Sequence, residues 1–539
     1  MRMESYAAGD TTLPLLEETI GAAFERIVAA HRDREAMVEV ATGKRWTWSE
    51  LDGDVDAVAR GLLAMGVDQG DRVGIWAPNC AEWTIAQLAT AKIGAILVNV
   101  NPAYRTHELA YAVNQSGMRF LLAATRFKTS DYAAMVEQVR PQCPTLERVV
   151  YIDGPDWNRL LAEGEEVPLS AVRERMAGLD PYDPINIQYT SGTTGYPKGA
   201  TLSHRNILNN GFFVTETIGL TAEDRLCIPV PFYHCFGMVM ANLGCVTHGA
   251  TMVIPGQAFD PATTLRAVQD ERCTVVYGVP TMFIAMQSHP DFASFDLASL
   301  RSGIMAGSIC PVEVMKRCIN EMNMAGASIA YGMTETSPVS CQTRADDDLD
   351  RRTATIGRAA PHVEIKIVDP VTGETVPRGE PGEFCTRGYS VMLGYWDDPE
   401  KTAEAIDDEG WMHTGDLATM REDGYCVIVG RIKDIVIRGG ENIYPREVEE
   451  FMYSHPDIED VQVVGVPDEK YGEELCAWVR MRAGAEPLDA EKVRAFATGK
   501  LAHYKIPRYV LVVEDFPMTV TGKIRKAEMR ERSAEVLGL

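Results

Sequence analysis

The sequence predicts an α/β protein with a large N-terminal domain, made of two α/β sheet subdomains and a β-rich subdomain, followed by a small α+β C-terminal domain. Three observations lead to this prediction. A chain of 539 residues is too long for one hydrophobic core. Short apolar segments alternate with helical segments through residues 12–150 and again from residue 226, which indicates parallel sheets covered by helices. Beyond about residue 360, polar and apolar residues alternate, as in antiparallel strands with one solvated face.

The N-terminal elements show the alternation most clearly. Thr47 and Glu50 have the spacing of a capping box, and apolar residues at helical intervals follow them. Residues 72–76 are a predicted buried strand, residues 82–92 a helix and residues 95–100 the next strand. This order is typical of a parallel sheet whose strands are joined by helices.

The C-terminal third predicts two further regions. Residues 363–368 and 382–387 are predicted antiparallel strands, separated by turn residues. After Arg431 the sequence predicts a helix near 446–453, a strand at 461–466 and a helix near 490–500. We therefore expect an N-terminal domain over residues 1–431, with its β-rich part at about 355–431, and a C-terminal domain over 432–539.

The composition excludes several classes of function. A formal net charge of −25 argues against nucleic acid or an anionic membrane as the main partner. The 12 cysteines are scattered without a Cys-x-x-Cys pair or a zinc-ligand spacing, which favours a reducing compartment. No targeting segment is recognisable at the N-terminus, so a cytoplasmic location is expected. Residues 226–259 lack charged side chains, but prolines and glycines interrupt them, which predicts a buried strand–helix–strand rather than a transmembrane helix.

Residues 189–199 combine glycines, hydroxyl side chains and a lysine, and they follow a strand-like segment. Glycines let backbone N–H groups surround an anion, hydroxyl groups add donors, and the lysine adds a positive charge. The spacing differs from the Walker A motif. A flexible surface turn is the alternative, but the composition favours a polyphosphate site formed by Thr190, Ser191, Gly192, Thr193, Thr194, Gly195 and Lys198.

Three further segments carry side chains suited to nucleotide chemistry. Tyr331 offers an aromatic face for adenine and Glu335 a hard oxygen ligand for Mg²⁺, although a tyrosine before a glycine is more often core packing. Asp416 follows a glycine turn and can accept ribose hydroxyls, unless it only caps its own turn. Lys523 lies on a glycine-containing segment near the C-terminus, where a solvated lysine is the ordinary alternative.

Taken together and in this order, these segments resemble the adenylate-forming superfamily. The resemblance rests on residues 190–199, 331–338, 413–416, 430–445 and the Gly522–Lys523 pair, and it extends from about residue 20 to 530. That superfamily includes acyl-CoA synthetases, aryl-CoA ligases, beetle luciferases and the adenylation domains of peptide synthetases. The run from Gly439 to Pro445 is most similar to fatty acyl-CoA synthetases, with medium- or long-chain substrates.

The resemblance implies an enzyme that uses ATP, Mg²⁺ and coenzyme A. A carboxylate would attack the α-phosphorus of ATP to give acyl-AMP and pyrophosphate, and CoA would then displace AMP. The C-terminal domain would be mobile and would rotate about a hinge at Lys433. For the phosphates, the resemblance implies that Lys523 bridges carboxylate and phosphate, that residues 190–198 hold the β- and γ-phosphates, and that Glu335 holds Mg²⁺ with Thr334 near the α-phosphate. For the nucleoside, it implies that Tyr331 and Gly332 face adenine and that Asp416 and Arg431 bind ribose. Gly439 and Gly440 would approach CoA.

The resemblance also implies an acyl pocket lined by His234, Met238, Gly307, Met333 and Val339, together with Gly332. No lysine or arginine falls within these segments, so a fatty acid is favoured over an amino acid or a dicarboxylate. An aryl-CoA ligase and a stand-alone ligase that loads acyl-AMP onto a carrier protein remain alternatives. A non-catalytic nucleotide-binding scaffold is disfavoured because Glu335 and Lys523 are both present. The sequence leaves open whether the protein is a monomer or a homodimer.

Overall fold

The structure is a computed structural model that describes residues 3–190, 197–308, 310–518 and 524–539. The chain forms two compact units. The larger unit comprises Ala7–Ile365 and Thr386–Met412, and the smaller unit comprises Met1–Tyr6, Lys366–Cys385 and His413–Leu539. The mixed α/β architecture agrees with the predicted fold class, while the predicted domain boundary at residue 431 remains a prediction.

The strands, in chain order, are β1 (Tyr6–Ala8), β2 (Glu35–Glu39), β3 (Lys44–Thr47), β4 (Arg72–Trp76), β5 (Ile96–Asn99), β6 (Phe120–Ala123), β7 (Arg126–Phe127), β8 (Ser130–Asp131), β9 (Arg148–Tyr151), β10 (Pro184–Thr190), β11 (Lys198–Ser203), β12 (Arg225–Cys227), β13 (Thr251–Ile254), β14 (Val275–Gly278), β15 (Ser302–Ala306), β16 (Gly326–Gly332), β17 (Val339–Gln342), β18 (Arg358–Ala359), β19 (Val363–Val368), β20 (Gly382–Gly388), β21 (Gly394–Tyr395), β22 (Met412–Met420), β23 (Cys426–Arg431), β24 (Val436–Arg438), β25 (Glu441–Ile443), β26 (Ile458–Asp468), β27 (Gly472–Met481) and β28 (Tyr509–Val512).

The α-helices are α1 (Ile20–His31), α2 (Trp48–Ala64), α3 (Ala81–Ile93), α4 (Thr106–Ser116), α5 (Tyr132–Val139), α6 (Pro155–Gly164), α7 (Leu169–Ala177), α8 (His204–Thr217), α9 (Gly244–His248), α10 (Pro261–Asp270), α11 (Pro280–Gln287), α12 (Val312–Glu321), α13 (Leu349–Ala354), α14 (Pro399–Ala405), α15 (Pro445–Met452), α16 (Ala490–Ala497) and α17 (Lys526–Leu537). A π-helical segment, Phe236–Leu243, precedes α9, and 3₁₀ turns occur at Arg140–Gln142, Phe292–Ser294, Thr334–Thr336, Ile432–Asp434 and His503–Lys505.

The larger unit contains two mixed sheets. One has the strand order β21-β11-β10-β5-β4-β6-β9, and the strands from β10 to β9 run parallel. The other has the order β18-β17-β16-β15-β14-β12-β13-β2-β3, with a parallel centre from β16 to β2. Central strands such as β5 and β14 are buried along their whole length, as expected for parallel sheets covered on both faces.

Local sequence signals place several helices correctly. The predicted capping box at Thr47 and Glu50 begins α2, and Ser203 caps α8 directly after β11. The segment without charged residues forms β12, the helical stretch through α9, and β13, so the predicted strand–helix–strand is confirmed. In the part of the chain that the structure describes, no helix is long and apolar enough to cross a membrane.

The smaller unit contains an α+β module with the strand order β25-β24-β27-β26, and β28 pairs with β27. Its core is built from alternating side chains of the two long antiparallel strands, including Val461, Val463, Leu475, Ala477 and Val479. The predicted strand at 461–466 lies inside β26, which continues further at both ends. Strands β22 and β23 pair antiparallel, and they belong to a sheet with the order β1-β19-β20-β22-β23.

Candidate functional site

The predicted phosphate stretch joins two paired strands of the larger unit. Thr190 ends β10 and Lys198 begins β11, and the two residues are opposite each other in the antiparallel register. Thr190 lies at the carboxyl end of a strand that runs parallel to β5, the edge at which α/β sheets commonly bind ligands. The predicted phosphate residues Ser191, Gly192, Thr193, Thr194 and Gly195 lie outside the described residues, as does Lys523.

Glu335 lies beside the ends of this hairpin. It belongs to the 3₁₀ turn that follows β16, and only 5% of its surface is exposed. Its Oε1 atom accepts a hydrogen bond from the Thr190 hydroxyl at 3.2 Å and another from the Tyr395 hydroxyl at 2.9 Å. Both donors are neutral, so the charge of this buried carboxylate is not balanced by them. Such a carboxylate suits a hard cation.

Tyr395 is the residue of this region that the sequence reasoning missed. Besides its hydrogen bond to Glu335, its ring lies under the Lys198 ammonium group, with 4.7 Å between Nζ and the ring centroid. Burial and the neighbouring carboxylate raise the pKa of Tyr395, so its hydroxyl is a proton donor at neutral pH. A tyrosine in a Gly-Tyr-Trp segment carries no chemical pattern by itself, and only the folded chain brings it to Glu335.

The turn that holds Glu335 depends on a close backbone approach. Gly332 pairs with Val339 across β16 and β17, and a Cβ atom at Gly332 would lie 1.7 Å from the Pro338 carbonyl oxygen. Only glycine fits there, because any side chain would force the two strands apart. Tyr331 and Met333, on either side of Gly332, are half-buried, while Thr334 is buried.

The predicted acyl-pocket residues fall into two groups. Gly307 follows β15 one residue beyond the Ala306–Ala330 pair, which places it next to the end of β16, and Val339 pairs with Gly332 on the other side of that strand. His234 and Met238 lie one helical turn apart, and the Met238 N–H donates to the His234 carbonyl at 3.0 Å. Nδ1 of His234 accepts a hydrogen bond from the Phe236 N–H at 3.2 Å.

Cys235 and Gln188 connect these two groups. The buried Cys235 thiol contacts the Thr334 hydroxyl and donates to Gln188 Oε1 at 3.1 Å. Burial raises the pKa of Cys235 to about 12, so it remains a thiol. The Met238 sulfur lies 3.1 Å from Gln188 Nε2 and 3.0 Å from Asn99 Nδ2. Sequence reasoning missed this buried polar network, because its members come from four separate segments.

In the smaller unit, Asp416 and Arg431 form the predicted ribose pair. They are opposite each other in β22 and β23, and Arg431 Nε lies 2.8 Å from Asp416 Oδ1. Asp416 is 7% exposed, whereas the Arg431 side chain is largely solvent-accessible. A carboxylate already paired with a cation, on a strand next to the edge strand, is suited to accept hydroxyl donors.

The turn that carries Asp416 is held by residues that the sequence reasoning did not assign. Glu383 accepts from the Gly415 N–H at 3.0 Å through Oε1 and contacts His413 Nδ1 at 2.8 Å through Oε2. Thr414 Oγ1 donates to the Phe384 carbonyl at 2.7 Å and accepts from the Asp416 N–H at 3.1 Å. Gly415 has φ +71°, which lets the chain turn between these contacts.

Contact with the Cys385 thiol and the Glu383 carboxylate raises the pKa of His413 to about 10. Burial raises the pKa of Cys385, so this residue stays a neutral thiol and Glu383 carries the charge that pairs with the imidazolium. The ligand atoms of Glu383, Cys385 and His413 lie within 4.8 Å of one another. Glu383 contacts both the Gly415 N–H and His413, so we interpret the cluster as a hydrogen-bonded support for the Asp416 turn.

The remaining predicted residues of this unit lie near the start of the α+β module. Lys433 is in the 3₁₀ turn Ile432–Asp434, and its carbonyl accepts from Arg530 Nη2 at 2.9 Å. Gly439 and Gly440 connect β24 and β25 with φ values of +60° and +89°. Two central residues with positive φ define a type I′ hairpin, which explains the Gly-Gly pair in local structural terms.

Family models, relatives in sequence and a solved structure all relate this chain to AMP-binding enzymes and CoA ligases. Residues 24–396 match the family described as AMP-binding enzyme, and residues 447–523 match the AMP-binding enzyme C-terminal domain. YngI of Bacillus subtilis (strain 168), named as an acyl-CoA synthetase, is 48% identical over 97% of this chain and 99% of its own. The mitochondrial medium-chain acyl-CoA ligase ACSF2 of Danio rerio is 45% identical over 99% of this chain and 91% of its own. The crystal structure of the anthranilate CoA ligase AuaEII with anthranoyl-AMP superposes with a TM-score of 0.84 at 26% identity, covering 98% of this chain and 99% of that one.

Proposed function

Because this chain belongs to the AMP-binding enzyme family, we propose that it converts a medium-chain fatty acid to its CoA thioester, with ATP cleaved to AMP and pyrophosphate. The observation that carries the proposal is the contact of Thr190 and Tyr395 with the buried Glu335 carboxylate, beside Lys198. At the hairpin of β10 and β11, these residues would supply a metal ligand, a phosphate-binding cation and hydroxyl donors. Phosphoryl chemistry requires such groups.

In the first step a fatty acid carboxylate attacks the α-phosphorus of ATP and pyrophosphate leaves. Two anions must approach each other, so positive charge and positioning supply most of the catalysis. Mg²⁺ held by Glu335 would neutralise charge on the phosphates. Residues 190–198 would hold the β- and γ-phosphates, Thr334 would lie near the α-phosphate, and Lys523 would bridge the two reacting groups.

The nucleoside would be held through its base and its sugar. Tyr331 and Gly332 would face adenine, since Tyr331 is half-buried and Gly332 is exposed at the end of β16. Asp416 and Arg431 would bind the ribose hydroxyls, with Glu383 and His413 supporting the turn.

In the second step the CoA thiolate attacks the acyl carbon and AMP leaves. We propose that the domain over residues 432–539 moves between the steps about Lys433, bringing the Gly439–Gly440 turn to CoA. Binding-driven rotation about a few junction residues is a common enzyme mechanism. Substituting Lys433→Pro should then block overall turnover while sparing one half-reaction, measured separately as pyrophosphate exchange and as thioester formation from supplied acyl-AMP. Unchanged overall turnover would contradict a hinge at this residue.

Medium chain length is supported by two observations. Relatives that are 42–45% identical over 99% of the chain are named medium-chain acyl-CoA ligases. The predicted pocket residue Met238 is held by amide donors of Asn99 and Gln188, so an apolar pocket would meet a polar network there. Each methylene of the acyl chain that is buried against apolar side chains contributes about 0.8 kcal/mol to binding. A methylene placed against this polar network would not gain that free energy, so the network would limit the chain length.

The test is pyrophosphate release with fatty acids of two to eighteen carbons, benzoates and amino acids, with and without CoA. We expect the highest kcat/KM with medium-chain acids and AMP release that requires CoA. Adenylate formation without CoA turnover would favour a ligase that loads a carrier protein, and preference for benzoates would favour an aryl-CoA ligase. The structural neighbour named an anthranilate CoA ligase is only 26% identical to this chain, so the aryl-CoA ligase is the weaker of the two alternatives.

A cytoplasmic location stays part of the proposal, and the oligomeric state stays open between a monomer and a homodimer. Several relatives are named mitochondrial, so cell fractionation is the measurement that distinguishes the two locations. Light scattering of the purified protein would establish whether it is a monomer or a dimer.

A further inference from the structure

We propose that Tyr395 is a positioning residue that orients Glu335 towards Mg²⁺ and Lys198 towards the phosphates of ATP. This inference rests on the proposed function and identifies how the metal-binding carboxylate and the phosphate-binding lysine are held together. The sequence pattern does not assign Tyr395 a role, and the contacts that support one are all within the larger unit.

The first contact concerns the Glu335 carboxylate and which of its oxygens would be left to hold a cation. The hydroxyl groups of Tyr395 and Thr190 both donate to Oε1, at 2.9 Å and 3.2 Å. Within the described part of the chain, Oε2 accepts no hydrogen bond. Two donors on one oxygen fix the carboxylate rotation and leave the other oxygen for a cation. Residues that hydrogen-bond a metal ligand in this way tune metal affinity.

The second contact concerns Lys198. Its ammonium group lies 4.7 Å from the centroid of the Tyr395 ring, within the range of a cation–π interaction. Lys198 and Tyr395 also line a cavity of about 190 Å³ together with Tyr111, Gln115 and Lys401. The ring therefore holds the ammonium group through a cation–π contact rather than through an ion pair that phosphate would have to displace.

The backbone of Tyr395 is itself fixed. Its N–H donates to Thr402 Oγ1 at 2.9 Å, and β21 pairs with β11 so that Tyr395 is opposite Ala200. The preceding Gly394 has φ +144°, and a Cβ there would approach Thr402 to 2.9 Å. Because strand pairing and Thr402 hold its backbone, Tyr395 loses little conformational entropy when its side chain orients Glu335.

The experiment measures metal binding directly. Mn²⁺ is titrated into the protein with α,β-methylene-ATP, and bound Mn²⁺ is followed by electron paramagnetic resonance. Tyr395→Phe keeps the ring under Lys198 but removes the donor to Glu335, so Mn²⁺ affinity should fall by about ten-fold. Tyr132→Phe, which removes a hydroxyl that donates to the Pro102 carbonyl, is the matched control and should bind Mn²⁺ like the wild type.

A second pair of variants separates the two contacts. Tyr395→Leu also removes the ring, so it should weaken binding of the metal-free nucleotide analogue by about three-fold, whereas Tyr395→Phe should not. Thr402→Val keeps the phenol but removes the acceptor of the Tyr395 N–H, and a smaller loss of Mn²⁺ affinity is expected.

Wild-type Mn²⁺ affinity in both Tyr395→Phe and Thr402→Val would overturn the positioning role. So would an equal loss in Tyr132→Phe, because it would indicate general destabilisation. A different result would contradict the proposed function, namely that the wild-type protein forms no acyl-CoA from any fatty acid. Metal binding is measured without turnover, so the two results are independent.

Discussion

Two buried carboxylates, Glu335 in the larger unit and Asp416 in the smaller one, have similar exposure but opposite electrostatic surroundings. Glu335 is 5% exposed and Asp416 is 7% exposed. Glu335 accepts from two neutral hydroxyl groups and, among the described residues, forms no ion pair with a lysine or arginine. Asp416 is paired with Arg431, and the neighbouring Glu383 is paired with His413.

This difference indicates two kinds of ligand. A buried carboxylate without a cationic partner is costly unless a cation arrives, so the Glu335 region is suited to Mg²⁺. A carboxylate that is already neutralised gains little from a second cation but still accepts hydrogen bonds, so the Asp416 region is suited to hydroxyl groups of ribose.

The largest expected effect comes from a charge that belongs to neither region. Lys523→Ala should lower adenylation by about 1,000-fold, because neither Glu335 nor Asp416 attracts the substrate carboxylate. Thioester formation from supplied acyl-AMP should survive. The two half-reactions are measured as fatty acid-dependent pyrophosphate exchange and as CoA consumption.

The matched control for this variant is Lys492→Ala, which removes an exposed lysine that contacts Glu486. It should leave both half-reactions unchanged. Equal loss of both half-reactions in Lys523→Ala would contradict a role confined to adenylation and would indicate that Lys523 supports the domain as a whole.

Glu335→Gln tests the metal side of the comparison. The amide keeps an oxygen for the Tyr395 and Thr190 hydroxyls but removes the negative charge, so adenylation should fall by about 100-fold. The Mg²⁺ concentration for half-maximal rate should rise, whereas the KM for ATP at saturating Mg²⁺ should change little. A variant with normal Mg²⁺ dependence would show that Glu335 is not the metal ligand.

Asp416→Asn tests the ribose side and should have a smaller effect. Loss of the charge weakens hydrogen bonds to the ribose, so the KM for ATP should rise by about ten-fold with unchanged Mg²⁺ dependence. The variant should also lose its discrimination against 2′- and 3′-deoxy-ATP, since the missing hydroxyl no longer has its charged acceptor. Continued discrimination by the variant would separate Asp416 from the ribose.

The fold was predictable where local signals agree with burial. The capping box before α2 and the apolar strand at residues 95–100 were read directly from the residue pattern. The ends of elements were less predictable: β26 extends to Ile458–Asp468, beyond the predicted 461–466, because pairing with β27 continues through charged residues. Strand pairing depends on the partner, which a single segment does not reveal.

Candidate site residues could be proposed from the sequence where one short segment carries suitable side chains, as for Glu335 and Asp416, and their roles stay predictions. Tyr395 and Glu383 could not be proposed in this way, because each acts on a residue that is distant in the sequence, 60 residues away for Tyr395 and 32 for the Glu383–Gly415 contact. Residues that position others have no composition pattern of their own. Their roles emerge only when the sheet brings the segments together.

The smallest expected effect concerns His413, whose imidazolium pairs with Glu383 behind the Asp416 turn. Contact with Cys385 and Glu383 raises the His413 pKa from 6.5 to about 10, so the folded protein binds this proton more tightly than the unfolded chain. The resulting stability is fully present below pH 6.5 and is lost as the pH rises towards 10. His413→Gln should therefore destabilise the protein most at or below pH 6.5 and least near pH 10.

Denaturant unfolding of the wild type and of His413→Gln across this pH range measures the difference, with Glu383→Gln and the double variant completing a cycle. The KM for ATP of His413→Gln should rise by about three-fold, less than for Asp416→Asn, because a supporting hydrogen bond is lost and the ribose acceptor remains. A stability difference that grows with pH would mean that His413 is neutral in the folded protein. In that case Asp416 would be supported through Thr414 and Gly415 alone, and the smaller unit would contain one ion pair at this turn rather than two.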